Sequence, residues 1–158
     1  MNKIQLGNTD LHVAPIMLGG NVFGWTIDEK KSFEVLDAFV EKGFNFIDTA
    51  DVYSRWVPGN QGGESETIIG KWLKQKSNAD VIVATKVGSD MGEGKSLKKD
   101  YIIKQVEASL KRLQLEQIDL YFAHFDDEGT PVEETMEAFD SLVKAGKVRW
   151  LGASNLSP

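Results

Sequence analysis

An aspartate, a lysine and a histidine recur at one interval in this sequence, Asp48, Lys86 and His124 each standing 38 residues from the next. Each closes a short apolar run, in "FNFID", "VIVATK" and "IDLYFAH". A fourth reactive group, Tyr53, follows five residues after Asp48 in "GFNFIDTADVY". A phenol with its ordinary pKa of about 10 is a poor proton donor near neutrality, and an ammonium group such as Lys86 beside it would favour phenolate and lower that pKa. A buried ammonium needs a counter-charge, which gives Asp48 a reason to sit next to it. An imidazole across from the phenol can donate a hydrogen bond to a carbonyl oxygen and orient it for protonation. These residue types point to acid–base work on a carbonyl. None of them can deliver hydride, so a reduction would need a nicotinamide cofactor.

Positioning four such groups requires a regular scaffold, and the sequence alternates between two kinds of segment. Apolar runs at Pro15 to Gly20, Phe44 to Asp48, Val81 to Lys86, Ile118 to His124 and Val148 to Asn155 predict five buried strands. Between them lie segments with helical spacing, such as Phe33, Leu36, Phe39 and Val40, closed by Gly43. Thr26 and Glu29 form a capping-box pattern at the start of that helix. The segment "TPVEETMEAFDSLVKAG" predicts another helix, with Thr130 as N-cap, Pro131 at the first position and Gly146 as terminator. "ESETIIGKWLKQ" and "KKDYIIKQVEASLKRLQL" supply two more amphipathic helices. Strand–helix alternation with near-continuous apolar strands predicts an α/β fold with a parallel sheet. Reactive residues at several strand ends select the (β/α)8 TIM-barrel type over a doubly wound sheet, since barrel enzymes place their chemistry at the C-terminal rim. His12, in "TDLHVAP", falls on an expected N-terminal β-hairpin outside the barrel.

Composition narrows the alternatives. The chain has 158 residues, 41% hydrophobic and 27% charged, with a net charge of −6, which disfavours nucleic acid and anionic membranes as partners. It has no cysteine and only two histidines, so neither disulfides nor a thiolate or histidine-rich metal site is expected. No secretory leader and no run of about 18 apolar residues occurs, and a cytoplasmic protein is expected. "GEGKS" lacks the glycine spacing of a phosphate-binding P-loop, and "GGNVFG" lacks that of a dinucleotide fingerprint.

"GFNFIDTADVY" with "GGESETIIGKWL", then "ATK", "IDLYFAH" and "VRWLGASN", resembles the aldo-keto reductase family along essentially the whole chain. The resemblance implies a (β/α)8 barrel that uses NADPH (NADP) to reduce small aldehydes and ketones. It implies a catalytic set of Asp48, Tyr53, Lys86 and His124, with Tyr53 as the acid. It also implies that Ser154 and Asn155 meet the nicotinamide carboxamide, and that Gly20, Asn21 and Asp48 lie near the cofactor. The stretch "SRWVPGNQGG" is longer than the family's usual turn, which brings Trp56 and Val57 to the substrate pocket. After His124, "FDDEGTP" replaces the family's common Arg-Pro or Trp-Pro pair.

A complete barrel needs about 250 residues. The sequence closes on "SNLSP", whose Ser157 and Pro158 read as the start of a further helix. Residues 1–158 are therefore expected to form the N-terminal portion of one barrel domain, an incomplete barrel of about five strands and four covering helices. Open edges at its first and fifth strands would favour self-association, and such a segment alone is expected to bind NADPH poorly. The competing expectation is a non-catalytic, reductase-like binding or regulatory subunit, or an inactive half-barrel.

Overall fold

A computed structural model describes residues 2–76 and 80–156. Two short antiparallel strands, β1 (Ile4–Gln5) and β2 (His12–Val13), form the hairpin. Five parallel strands follow, β3 (Met17–Gly19), β4 (Phe46–Asp48), β5 (Ile82–Val87), β6 (Ile118–Ala123) and β7 (Val148–Ala153). The connecting helices are α1 (Glu29–Glu41), α2 (Glu64–Gln75), α3 (Lys99–Leu113) and α4 (Val132–Lys144). A short 3-10 turn, Gly20–Val22, leaves β3. The anticipated helix start at Ser157 and Pro158 lies outside the described residues.

The strand order in the sheet is β3-β4-β5-β6-β7, the order of the chain itself. Right-handed crossovers that never reverse direction put every helix on one face of the sheet, and a doubly wound fold, whose order does reverse, is excluded. On the helix face Leu36, Ile69, Trp72, Ile102, Val106 and Leu113 pack with Ile47, Val83 and Tyr121. Full burial of each such side chain contributes about 2 kcal/mol. β5 is buried along its whole length, as expected of a central strand covered on both sides.

The opposite, inner face carries a smaller cluster of Phe46, Ile82, Ala84 and Leu120, against which Leu11 and Val13 of the hairpin pack. Asn45 ties the hairpin down, its side chain accepting from Ala14 N at 2.9 Å and donating to His12 O at 3.0 Å. Trp150 and Arg149 of β7 both reach Asp10, in the hairpin turn, at 2.7 and 2.8 Å. The hairpin thus closes the N-terminal end of the inner face and leaves its C-terminal end open.

Two helix starts differ from the expectation. Asp28, not Thr26, caps α1, its carboxylate accepting from Lys31 N at 2.8 Å. Thr26 is held two residues upstream, its N–H donating to Val22 O in the turn that leaves β3, and Asp28 is the first capping side chain beyond that turn. At α4 the cap position is Pro131, while Thr130 Oγ1 donates backward to Asp127 Oδ2 at 2.6 Å. Met136 of α4 is exposed, whereas Phe139 and Leu142 on the same helix are buried.

Candidate active site

Register explains how four residues distant in sequence meet. Asp48 pairs with Ala84, two residues before Lys86, and Lys86 pairs with Phe122, two residues before His124. A step of two per strand preserves the alternation of side chains, so all three point to the inner face while following the stagger of a tilted sheet. The ladder continues past the formal strand ends, with Thr49 N donating to Ala84 O, His124 N to Val87 O and Ser154 N to Ala123 O. That continuation makes the positions of His124 and Ser154 as firm as those in the strands.

The Lys86 ammonium makes three hydrogen bonds, one for each of its donors. Its Nζ lies 2.6 Å from Asp48 Oδ1, 2.8 Å from Thr49 O and 2.9 Å from Tyr53 Oη. The Tyr53 hydroxyl in turn donates to Asp48 Oδ2 at 3.3 Å, a long and weak bond. Only 10% of the Lys86 side chain and 13% of that of Asp48 is exposed, so the ion pair is shielded from solvent. Burial pulls the Lys86 pKa below its ordinary value, and the Asp48 carboxylate opposes that pull.

The phenol behaves opposite to expectation. Burial, followed by the charge of Asp48 and the hydrogen bond to it, raises the Tyr53 pKa above its usual value. The ammonium lies against both partners, but the carboxylate, which also accepts from the phenol, favours its neutral form. Tyr53 therefore stands as a protonated donor. Its backbone is fixed by a stitched loop: Ser54, at φ 71, donates its hydroxyl to Phe23 O at 2.7 Å, and Asn60 Nδ2 donates to Gly24 O and Ser54 O.

His124 lies edge-on to the Tyr53 ring at 6.0 Å and stacks on Phe125 at 4.5 Å. Burial, then the nearby charges of Lys86 and Lys95, lower its pKa to about 4, so the imidazole is neutral at pH 7. Its Nδ1 meets Ser89 Oγ at 3.0 Å. Trp56 borders Tyr53 at 6.2 Å and stands edge-to-face with Trp25 at 5.5 Å, the two half-exposed indoles forming one apolar wall. Val57, the other residue expected in the pocket, is partly buried in the same loop.

Of the remaining predicted residues, Ser154 and Asn155 border this cluster through His124. Asn155, at φ 52, donates from Nδ2 to His124 O and Ser154 Oγ, both at 2.9 Å. The Ser154 hydroxyl, accepting from Asn155, keeps its own proton for donation, and Asn155 Oδ1 accepts from no donor among the described residues. One donor and one acceptor, side by side, fit a carboxamide. Asn21 is exposed in the 3-10 turn that leaves β3. Gly20 is buried, and a Cβ there would lie 2.8 Å from Ser65 Oγ, so packing against the start of α2 accounts for this glycine.

Two features escaped the sequence reading. Ser89 carried no pattern. Behind the sheet, buried Glu66 pairs with Arg112 at 2.6 Å and accepts from Thr85 Oγ1 at 2.6 Å. Asp51, also buried, has neither carboxylate oxygen hydrogen-bonded among the described residues. Glu66 falls on the apolar stripe of α2 with Ile69 and Leu73, and a charge on such a stripe was the available signal. An apolar groove of about 340 Å³ between α4 and β7, lined by Met136, Phe139 and Leu151 among others, lies apart from the ionisable cluster. No helix among the described residues is long and apolar enough to cross a membrane.

The model of the Aldo/keto reductase family matches residues 15–158. The chain is 40% identical over 166 residues to the uncharacterized oxidoreductase YrpG of Bacillus subtilis (strain 168), covering 99% of this chain and 50% of that protein. It is 39% identical over 168 residues to the aryl-alcohol dehydrogenase [NADP(+)] of Phanerodontia chrysosporium, covering 92% and 41% respectively. Among solved structures, the holo form of aldo-keto reductase AKR11C1 from Bacillus halodurans matches with a TM-score of 0.86 and 40% identity, over 100% of this chain and 51% of that one. The chain thus spans about half the length of these relatives. A parallel, singly wound sheet with all its helices on one face, four polar groups gathered at its C-terminal end and a family match from Pro15 onward together establish that this chain belongs to the aldo/keto reductase family.

Proposed function

We propose that the chain carries the acid–base half of a nicotinamide-dependent reduction of aldehydes or ketones, and that residues 1–158 are the N-terminal part of a single barrel domain. The observation that carries this reading is the Lys86 ammonium held between the Asp48 carboxylate and the Tyr53 phenol. Tyr53 is the general acid, Lys86 and Asp48 tune it, and His124 orients the substrate. Ser154 and Asn155 would hold the carboxamide of NADPH, with Asn21, Gly20 and Asp48 beside the ring. The NADP preference rests on the name of one relative, an NADP(+) dehydrogenase.

When bound, the cofactor supplies hydride to the carbonyl carbon. The chain's own groups handle the oxygen. The neutral His124 ring can donate one hydrogen bond to it without adding charge. As negative charge develops there, the Tyr53 hydroxyl gives up its 3.3 Å bond to Asp48 and turns to donate to the oxygen instead. Proton transfer leaves a phenolate, and the Lys86 ammonium, already 2.9 Å from Oη, stabilises it. The raised ground-state pKa keeps the proton in place until the substrate oxygen becomes the better base. The Trp25–Trp56 wall favours a substrate with an apolar, planar body. A cytoplasmic site would suit this chemistry, where reduced nicotinamide is available.

Consumption of NADPH with a reactive aromatic aldehyde, followed for the protein carrying these residues and for Tyr53→Phe, tests the assignment. A positioned general acid contributes about 100- to 10,000-fold, and a loss in that range is expected. Equal activity in Tyr53→Phe would remove the phenol from the mechanism, and no turnover in the parent would favour a binding role.

A further inference from the structure

We infer that Ser89 is a positioning residue for His124: its hydroxyl donates to Nδ1 and thereby fixes the tautomer in which Nε2 carries the proton and faces the substrate oxygen. The role assigned to the imidazole rests on the reductase reading above, but the tautomer itself does not.

A neutral imidazole has one N–H and one bare nitrogen, and His124 is neutral because burial and two neighbouring ammonium groups disfavour its charged form. Ser89 Oγ and His124 Nδ1 lie 3.0 Å apart, with 4% and 8% of the two residues exposed. Were Nδ1 protonated, it would donate to Ser89 Oγ, and the serine proton would have no acceptor among the described residues. A buried polar group without a partner is disfavoured. The reverse arrangement pairs the serine proton with Nδ1 and leaves one ring group, Nε2–H on the opposite side, open for a substrate, where the other tautomer would leave both the serine proton and a bare Nε2 unpaired. A substrate carbonyl only accepts, so this tautomer is also the one that can orient it.

Both ends of the contact are anchored from the backbone. Tyr101 of α3 donates its hydroxyl to Ser89 O at 2.7 Å, and Gly88, at φ 111, turns the chain inward against Leu97. His124 N donates to Val87 O, and His124 O accepts from Asn155 Nδ2. The two residues belong to adjacent strand ends whose ladder holds them together, so the hydroxyl–imidazole distance is set by the sheet and not by a mobile loop.

The chain has only two histidines, and the exposed one, His12, can be replaced by glutamine to leave a single imidazole for ¹⁵N NMR. In the His12→Gln protein the His124 spectrum at pH 7 is expected to show a bare, hydrogen-bonded Nδ1 and a protonated Nε2. Ser89→Ala should relax this to a mixture of tautomers, Ser89→Thr should restore the single form, and Ser89→Asp, an acceptor only, should draw the proton to Nδ1. Backbone amide spectra that remain unchanged in these variants separate a change of tautomer from a loss of fold. A protonated Nδ1 in the parent would overturn the inference, and so would identical tautomer populations in Ser89→Ala and Ser89→Thr. The same variants should lower kcat/KM for the aldehyde several-fold in Ser89→Ala, with recovery in Ser89→Thr. The predicted tautomer in a protein that reduces no carbonyl would refute the reductase reading and leave the serine contact standing.

Discussion

At the scale of single residues, the site combines groups whose environments push their proton affinities in different directions. Tyr53 is held protonated by burial and by Asp48, while His124 is held neutral by burial and by Lys86 and Lys95. With the imidazole pKa at about 4 and the phenol's above its usual range, kcat/KM should show no inflection near pH 6.5. A clear inflection there would mean that His124 titrates in the working range. Asp51 makes a different prediction. Burial, with the charge of Glu66, raises its pKa from 3.8 to about 8, against the opposing Arg112 and Lys86. The folded state then binds a proton that the unfolded state has released between those values, so this group's contribution to stability is full below pH 3.8 and is lost as pH rises toward 8. Asp51→Asn removes that dependence, and the fall in Tm between pH 5 and 8 should be smaller in the variant than in the parent. An equal fall in both would show that Asp51 is ionised throughout. Asp48, Lys86 and His124 were legible because each closes an apolar run at a constant interval, and Tyr53 because it follows Asp48 by only five residues. Ser89 and Asp51 were not, because their roles depend on a contact across 35 residues to His124 and on the charge of Glu66 from helix α2, which no local pattern encodes.

At the scale of elements, the α2–α3 contact sets where the loop bearing Tyr53 ends. A Cβ on Gly70 would fall 2.1 Å from Arg112 O and 2.7 Å from Leu113 C, so the two helix backbones touch. Arg112 is thereby brought to Glu66, one turn before Gly70, and the ion pair fastens the start of α2. Gly70→Ala would gain about 1 kcal/mol of helix propensity, but the clash is with main chain that no side-chain rotation relieves. Overpacking of that kind costs about 1–3 kcal/mol or more, and a lower urea midpoint is expected. An unchanged or higher midpoint would show that the helices stand further apart. Strand and helix identities were readable from period and composition, since buried strands and amphipathic helices each need their own spacing. The start of α1 was misplaced because more than one capping side chain was available: Thr26 fits the box pattern, but its amide is already engaged in the preceding turn, and Asp28 takes the cap.

At the scale of the whole molecule, unbroken strand order was predictable from strand–helix alternation, whereas the shape of the surface depends on which faces acquire neighbours. Among the described strands, β3 pairs only with β4 and β7 only with β6, so the sheet presents two unpaired backbone edges. Along the β7 edge, Leu151 and Leu156 are exposed, together with Val132 and Met136 of the neighbouring α4. An unpaired parallel edge flanked by apolar side chains is a template for another strand, and no charged residue points outward among Leu151, Gly152 and Ala153 to prevent it. The 158-residue polypeptide on its own should therefore associate as its concentration rises through the micromolar range, by sedimentation velocity. Leu151→Lys places an ammonium on this edge without touching the ionisable cluster, and it should shift the polypeptide toward monomer while leaving its far-ultraviolet circular dichroism unchanged. A monomer at every concentration in the parent would mean that neither edge is adhesive, and association undiminished by Leu151→Lys would move the contact to β3, where exposed Met17 becomes the next position to charge.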